Sequence, residues 1–112
     1  SAESVLVFGY SDNPDRYSYM AYQLLKDFQH NVLGFNPRVD NVAELPRQFD
    51  TVTFYVNPKI QEKFEELILS MHFKRAIFNP GTENFDLEKK LRDKGVDVVV
   101  GCTLVMLRTN QY

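Results

Sequence analysis

Residues 5–19 run VLVFGYSDNPDRYSY, and the fold turns on this stretch. Val5-Leu6-Val7-Phe8 is a short β-branched and apolar run that stops at Gly9, the pattern of a buried strand. A polar loop, Ser11-Asp12-Asn13-Pro14-Asp15-Arg16, follows, and a helical pattern begins near Ser18. Strand, glycine turn and helix N-terminus together form the phosphate-binding end of a Rossmann-type unit. The helix's free N–H groups and the positive end of its dipole face the carboxyl end of the strand, where a pyrophosphate can lie. Ser11, Asn13 and Ser18 can hydrogen-bond a phosphate, and Arg16 brings a fork of donors with a full charge. An ordinary turn with a Ser N-cap and a solvated Arg would use the same residues. The glycine fingerprint G-x-G-x-x-G is incomplete, because Gly9 is followed at its later positions by Ser11 and Pro14. That counts against an ordinary NAD enzyme.

Working outward, Ala21, Leu24, Leu25 and Phe28, with Met20 beside them, predict a helix from about Ser18 to Gln29. Val32-Leu33-Gly34-Phe35 reads as a second strand closed by Asn36-Pro37, and Thr51 to Val56 as a third closed by Asn57-Pro58. Ile60, Phe64, Leu67, Ile68 and Met71 recur at helical spacing and predict one helix over roughly Lys59 to His72. Ala76-Ile77-Phe78 is a short fourth strand with the exit loop Asn79-Pro80-Gly81-Thr82. Asn84 or Thr82 can cap a further helix that buries Leu87 and Leu91 and stops at Gly95. Val96 to Val100 is the fifth strand, ended by Gly101-Cys102, and the tail from Thr103 to Tyr112 is expected to pack over an edge.

Strand–helix alternation with continuous apolar strands predicts an α/β, Rossmann-like three-layer fold with a five-stranded parallel sheet. Right-handed crossovers predict the order 3-2-1-4-5, with a switch point beside strand one. Residues 1–112 then form one domain. All five strand exits share the carboxyl-end rim, where open α/β sheets bind ligands. The three Asn-Pro pairs that stand directly at strand ends serve as strand stops, and their backbones can also wall a cleft.

The order G-Y-S-D-N-P-x-R-x-S at residues 9–18, then V-L-G-F-N-P-R at 32–38, resembles the small stand-alone CoA-binding domain proteins. Their fold is similar to the nucleotide-binding domain of the succinyl-CoA synthetase α subunit. F-Y-V-N-P at 54–58, N-P-G-T-E-N at 79–84 and V-V-V-G-C at 98–102 continue the likeness over nearly the whole chain. The resemblance implies a site for CoA or acyl-CoA on the rim. Gly9, Tyr10, Ser11, Arg16 and Ser18 would line the diphosphate, and Asn36, Pro37 and Arg38 would flank the adenosine. Val56, Asn57 and Pro58 would lie against the adenine or the start of the pantetheine, with Pro80 and Gly81 farther along it and Cys102 near the thiol. Two departures fall on the strand-four exit, usually more apolar and Gln-containing, and on the connection after Arg38, which is shorter than the common form. Independently of the family, strand two ends at Asn36 with Arg38 beyond, where an NAD site carries a carboxylate for the ribose. An Arg there suits a ribose phosphate instead.

The chain has 112 residues, enough to bury a core without disulfides or metals. Thirteen Lys and Arg against fifteen Asp and Glu leave a net charge of −2, which provides no electrostatic footprint for nucleic acid or an anionic membrane. No apolar run reaches membrane-spanning length and no stretch reads as a signal peptide. Ser1-Ala2 stands in place of an initiating Met and is left out of the fold reading. The single cysteine, Cys102, fits a reducing cytoplasm. His30 and His72 sit at helix ends without a catalytic partner, and Asp12, Asp15 and Glu83 are loop carboxylates of the solvated or capping kind. No catalytic group and no metal spacing emerges from these residues. The expected protein is therefore a CoA-binding module without catalysis of its own. An NAD(P)-binding oxidoreductase-like protein on the same fold, or a regulatory protein that has lost the ligand, stands as the alternative. A protein partner is unknown, and monomer and homodimer are both open.

Overall fold

The fold of residues 2–112 is described by a computed structural model. Five parallel strands, β1 (Ser4–Phe8), β2 (Asn31–Phe35), β3 (Gln48–Phe54), β4 (His72–Phe78) and β5 (Asp97–Val100), form one sheet. Helices α1 (Tyr17–Asp27) and α5 (Thr103–Arg108) cover one face, and α2 (Pro58–Lys63), α3 (Glu65–Ser70) and α4 (Phe85–Asp93) cover the other. β1 shows how the sequence builds both layers. Leu6 and Phe8 point into the core under α2–α4, while Val5 and Val7 meet Leu25 of α1 and Leu107 of α5. This is the alternation of a strand buried on both faces.

The strands lie in the order β2-β1-β3-β4-β5, so β3 pairs with β1 and the expected order 3-2-1-4-5 is corrected. The reason is the face on which each connection runs. α1 carries the chain from β1 to β2 over the Val5/Val7 face, whereas the next connection packs Val42 and Leu45 into the Leu6/Phe8 core. Right-handed crossovers on opposite faces travel in opposite directions. The chain therefore turns back past β1 and adds β3 on its far side. β2 is left at the edge, with Asn31 and Leu33 exposed.

Several element boundaries differ from those expected. β3 starts at Gln48 and β4 at His72, ahead of the apolar runs that mark them in the sequence. Polar residues at their starts are held by the backbone of other segments: Asp50 Oδ2 accepts from Ser4 N at 2.8 Å, and His72 N donates to Arg47 O at 2.7 Å. The single helix expected over Lys59 to His72 is two helices that meet at Phe64, where φ widens to −112°. The Phe64 ring approaches Phe8 edge-on at 6.1 Å. α5 lies against α1 across a sheet face rather than over an edge.

β1, β2, β3 and β4 each end in phenylalanine, and the four are in register: Phe8 with Phe35, Phe8 with Phe54, and Phe54 with Phe78. Their ring centroids are separated by 5.4, 5.7 and 4.7 Å. Aromatic pairs at such distances contribute about 0.5–1.5 kcal/mol each beyond the area they bury. This row closes the core directly beneath the carboxyl-end rim and gives the loops above it a rigid floor.

Candidate functional site

In the order β2-β1-β3-β4-β5, the connections leaving β1 and β3 diverge to opposite sides, so the switch point lies between the ends of β1 and β3. Gly9 makes that junction. Its φ is +104°, and a Cβ there would sit 2.7 Å from Val56 Cγ1 and 2.9 Å from the Tyr55 carbonyl carbon. Only glycine lets the β1 turn lie so close to the β3 exit. Gly9 N and Tyr10 N both donate to Phe35 O, at 2.8 and 2.9 Å, which ties the same turn to the end of β2.

A cleft of about 450 Å³ opens on this rim. It is lined from the β1–α1 loop by Gly9, Tyr10, Ser11, Arg16 and Ser18, and from the β2 exit by Asn36, Pro37 and Arg38. Val56 and Asn57 line it from β3, and Pro80 and Gly81 from β4. These are twelve of the fourteen residues singled out from the sequence. Pro58 is the first residue of α2 and lies outside the lining. Cys102, the N-cap of α5, is half-buried and also stands outside it. Four lining residues were not singled out: Tyr17, Tyr55, Ile60 and Thr82. Tyr55 and Thr82 are sequence neighbours of expected residues, and Ile60 belongs to an apolar helical period that points to core packing. Tyr17 is 70% exposed at the start of α1 and carries no motif.

The β1–α1 loop is internally braced. Ser11 N donates to Ser18 Oγ at 3.1 Å, Asn13 N to Ser11 Oγ at 3.1 Å, and Asp15 N to Asn13 Oδ1 at 3.0 Å. Both serine hydroxyls act as acceptors here, which leaves each O–H free to donate to a phosphate oxygen. The N-terminus of α1 has Arg16 at its N-cap, and no side chain among the described residues caps it. α2 and α4, by contrast, are capped by Asn57 and Asn84, whose Oδ1 atoms accept from Ile60 N and Leu87 N. α1 thus presents its first-turn N–H groups and positive dipole end at the cleft, beside the Arg16 charge.

The three Asn-Pro pairs at strand ends do different work. Asn36 Oδ1 accepts from Arg38 N at 2.9 Å and shapes the β2 exit, and Asn57 starts α2 with Pro58 as its first residue. Asn79 is buried: its Nδ2 donates to Phe54 O and Thr53 Oγ1, and its Oδ1 accepts from Thr103 N. Burial and the nearby Tyr22 and Tyr19 raise the pKa of Tyr10, so its phenol is a neutral wall of the cleft.

A larger cavity, about 610 Å³, lies at the opposite, amino-end rim between Ser4, Asp50, His72 and Lys94. The only carboxylate that lines it, Asp50, is already bound by Ser4 and Lys74. The carboxyl-end cleft is the better candidate, because its groups converge and remain available. Among the described residues no cluster of three metal-ligating side chains occurs, and no helix is long and apolar enough to cross a membrane.

Fold and cleft together define a doubly wound α/β domain with a cleft at its switch point. The chain belongs to the CoA binding domain family, which it matches over residues 3–108. It is similar to an uncharacterized protein of known crystal structure, with 36% identity, a TM-score of 0.87 and coverage of 100% of this chain and 99% of the other. A Thermus thermophilus structure matches at 20% identity and a TM-score of 0.86, covering 99% and 91% of the two chains. A conserved hypothetical protein from Pyrococcus furiosus matches at 28% identity and a TM-score of 0.71, covering 86% and 90%. No curated protein matches the sequence.

Proposed function

We propose that the carboxyl-end cleft binds CoA, free or acylated, through its nucleotide half, and that the protein performs no catalysis of its own. The observation that carries this reading is the uncapped N-terminus of α1 opening on a cleft that also holds Arg16 and Arg38. Family membership makes CoA the ligand to fit, and the donor set suits it. The diphosphate takes the α1 N–H groups, the Ser11 and Ser18 hydroxyls and Arg16, and the ribose phosphate takes Arg38. At about 450 Å³ the cleft is toward the lower end of small-molecule sites, roughly 300–1,000 Å³. It encloses the nucleotide and the start of the pantetheine, which then leaves past Gly81 toward solvent. The thiol meets no nucleophile paired with a base there, so the site suits holding CoA rather than transforming it. The lone thiol of Cys102 favours a reducing, cytoplasmic setting.

A native mass spectrum of protein purified without added ligand tests this reading. A CoA-sized adduct supports it. A dinucleotide adduct, or no adduct even after incubation with CoA, contradicts it.

A further inference from the structure

Gln61 is polar and fully buried, and its side-chain amide has a job that packing does not explain. Its Nε2 donates to Val56 O at 2.8 Å and to Thr82 O at 2.7 Å, and its Oε1 accepts from Asn84 Nδ2 at 3.0 Å. Both amide hydrogens and the carbonyl are therefore used. Val56 and Thr82 line the cleft from the exits of β3 and β4, and Asn84 is the cap of α4. The β3–β4 ladder stops at Phe54 and Phe78. Asn79 extends the connection by one residue, through its Nδ2 bond to Phe54 O. Beyond that point the two loops share no ladder, and the Gln61 amide is the bridge between them.

We infer that Gln61 is a positioning residue that sets the separation of the β3 and β4 walls, and so the grip on the ligand beyond its diphosphate. The inference rests on the CoA reading of the cleft. An apolar side chain of the same size would fill the space without burying an amide, which is costly unless every polar atom finds a partner. The amide satisfies two carbonyls that face each other across the loops, and its length fixes their spacing.

The test compares the affinities of CoA and adenosine 3′,5′-bisphosphate, which shares the nucleotide end but has no pantetheine. Calorimetric titrations are run on wild type, Gln61→Met, Asn84→Ser and Thr51→Val. Gln61→Met should lower the CoA affinity at least tenfold more than the bisphosphate affinity. Asn84→Ser keeps a capping oxygen but removes the amide that orients Gln61, and should lower the same ratio severalfold. Thr51→Val disturbs a buried residue in the middle of β3, away from the rim, and should leave the ratio unchanged. An unchanged ratio in Gln61→Met overturns the positioning role, as does an unchanged ratio in Asn84→Ser if Gln61→Met does not fold. A wild-type chain that binds neither ligand overturns the CoA reading itself, and the inference with it.

Discussion

The ring of Tyr10 occupies the space a side chain at Gly34 would need: a Cβ on Gly34 would stand 2.5 Å from Tyr10 Cγ. The edge strand β2 thus positions a wall of the cleft at the end of β1. Tyr10 in turn packs against Tyr22 at 4.8 Å and Tyr19 at 6.5 Å on α1. Gly34→Ala should push the ring outward, cost about 1–3 kcal/mol as overpacking does, and weaken CoA binding. Adding Tyr10→Ala should recover part of the lost stability, because the clash disappears with the ring. A double-mutant cycle that shows independent effects would remove this contact from the account.

The two arginines should separate by ligand. Arg16→Ala removes a proposed diphosphate contact and should weaken CoA and 3′-dephospho-CoA alike. Arg38→Ala should penalise CoA more than 3′-dephospho-CoA, by about 1.5–3 kcal/mol, the worth of a charged hydrogen bond. Equal penalties from Arg38→Ala would move the ribose phosphate elsewhere.

Phe8 is the centre of the aromatic floor, touching Phe35, Phe54 and Phe64. Phe8→Ala should cost about 3–5 kcal/mol, read as a lower midpoint in denaturant. Phe85→Ala makes a stringent control, since Phe85 is 76% exposed, and should change stability by only about 0.5 kcal/mol. Comparable losses from both would mean the register-matched row does not carry the core.

Tyr55 and Tyr112 keep their hydroxyls buried without a hydrogen-bond partner among the described residues. Burial raises both pKa values, and the Glu3 carboxylate adds to this at Tyr112. The unfolded chain ionises them near the ordinary value of about 10. Their contribution to stability is therefore complete below pH 10 and is lost as pH rises through the gap toward the folded values. Tyrosinate absorbance should show two of the six tyrosines ionising only as the fold melts. In the Tyr55→Phe/Tyr112→Phe double variant that late phase should vanish, because phenylalanine has no phenol to ionise. A late phase that survives the double substitution would refute the assignment.

Much of this architecture is legible in the chain because local chemistry dictates it. Val5 to Phe8 can only be an interior strand, and Gly9 followed by a polar loop and a helix defines the rim. The strand order is not local. Whether β3 joins β1 or β2 depends on which face the connection through Val42 and Leu45 covers, and no periodicity records that. One clue was present: Asn31 and Gly34 make β2 a poorer interior strand than β3, with its Thr51-Val52-Thr53-Phe54 run. The break at Phe64 was hidden because the apolar period runs through it unbroken, and the contact with Phe8 is long-range. In the site, the resemblance to the CoA-binding domain proteins pointed to twelve of the sixteen lining residues, with the glycine and Asn-Pro signals marking the turns among them. Tyr17 and Ile60 carry no such signal, and Gln61 reads as an ordinary helix-surface residue until the loop carbonyls on both sides of it are seen.

The central claim is that the cleft recognises CoA, and ligand-induced stabilisation tests it most directly. A ligand that binds only the native state raises stability by about 2.7 kcal/mol at a hundredfold excess over its Kd. At equal concentrations CoA should raise the melting temperature more than 3′-dephospho-CoA does, and both more than NAD. Equal shifts for CoA and NAD, or a larger shift with NAD, would contradict the claim.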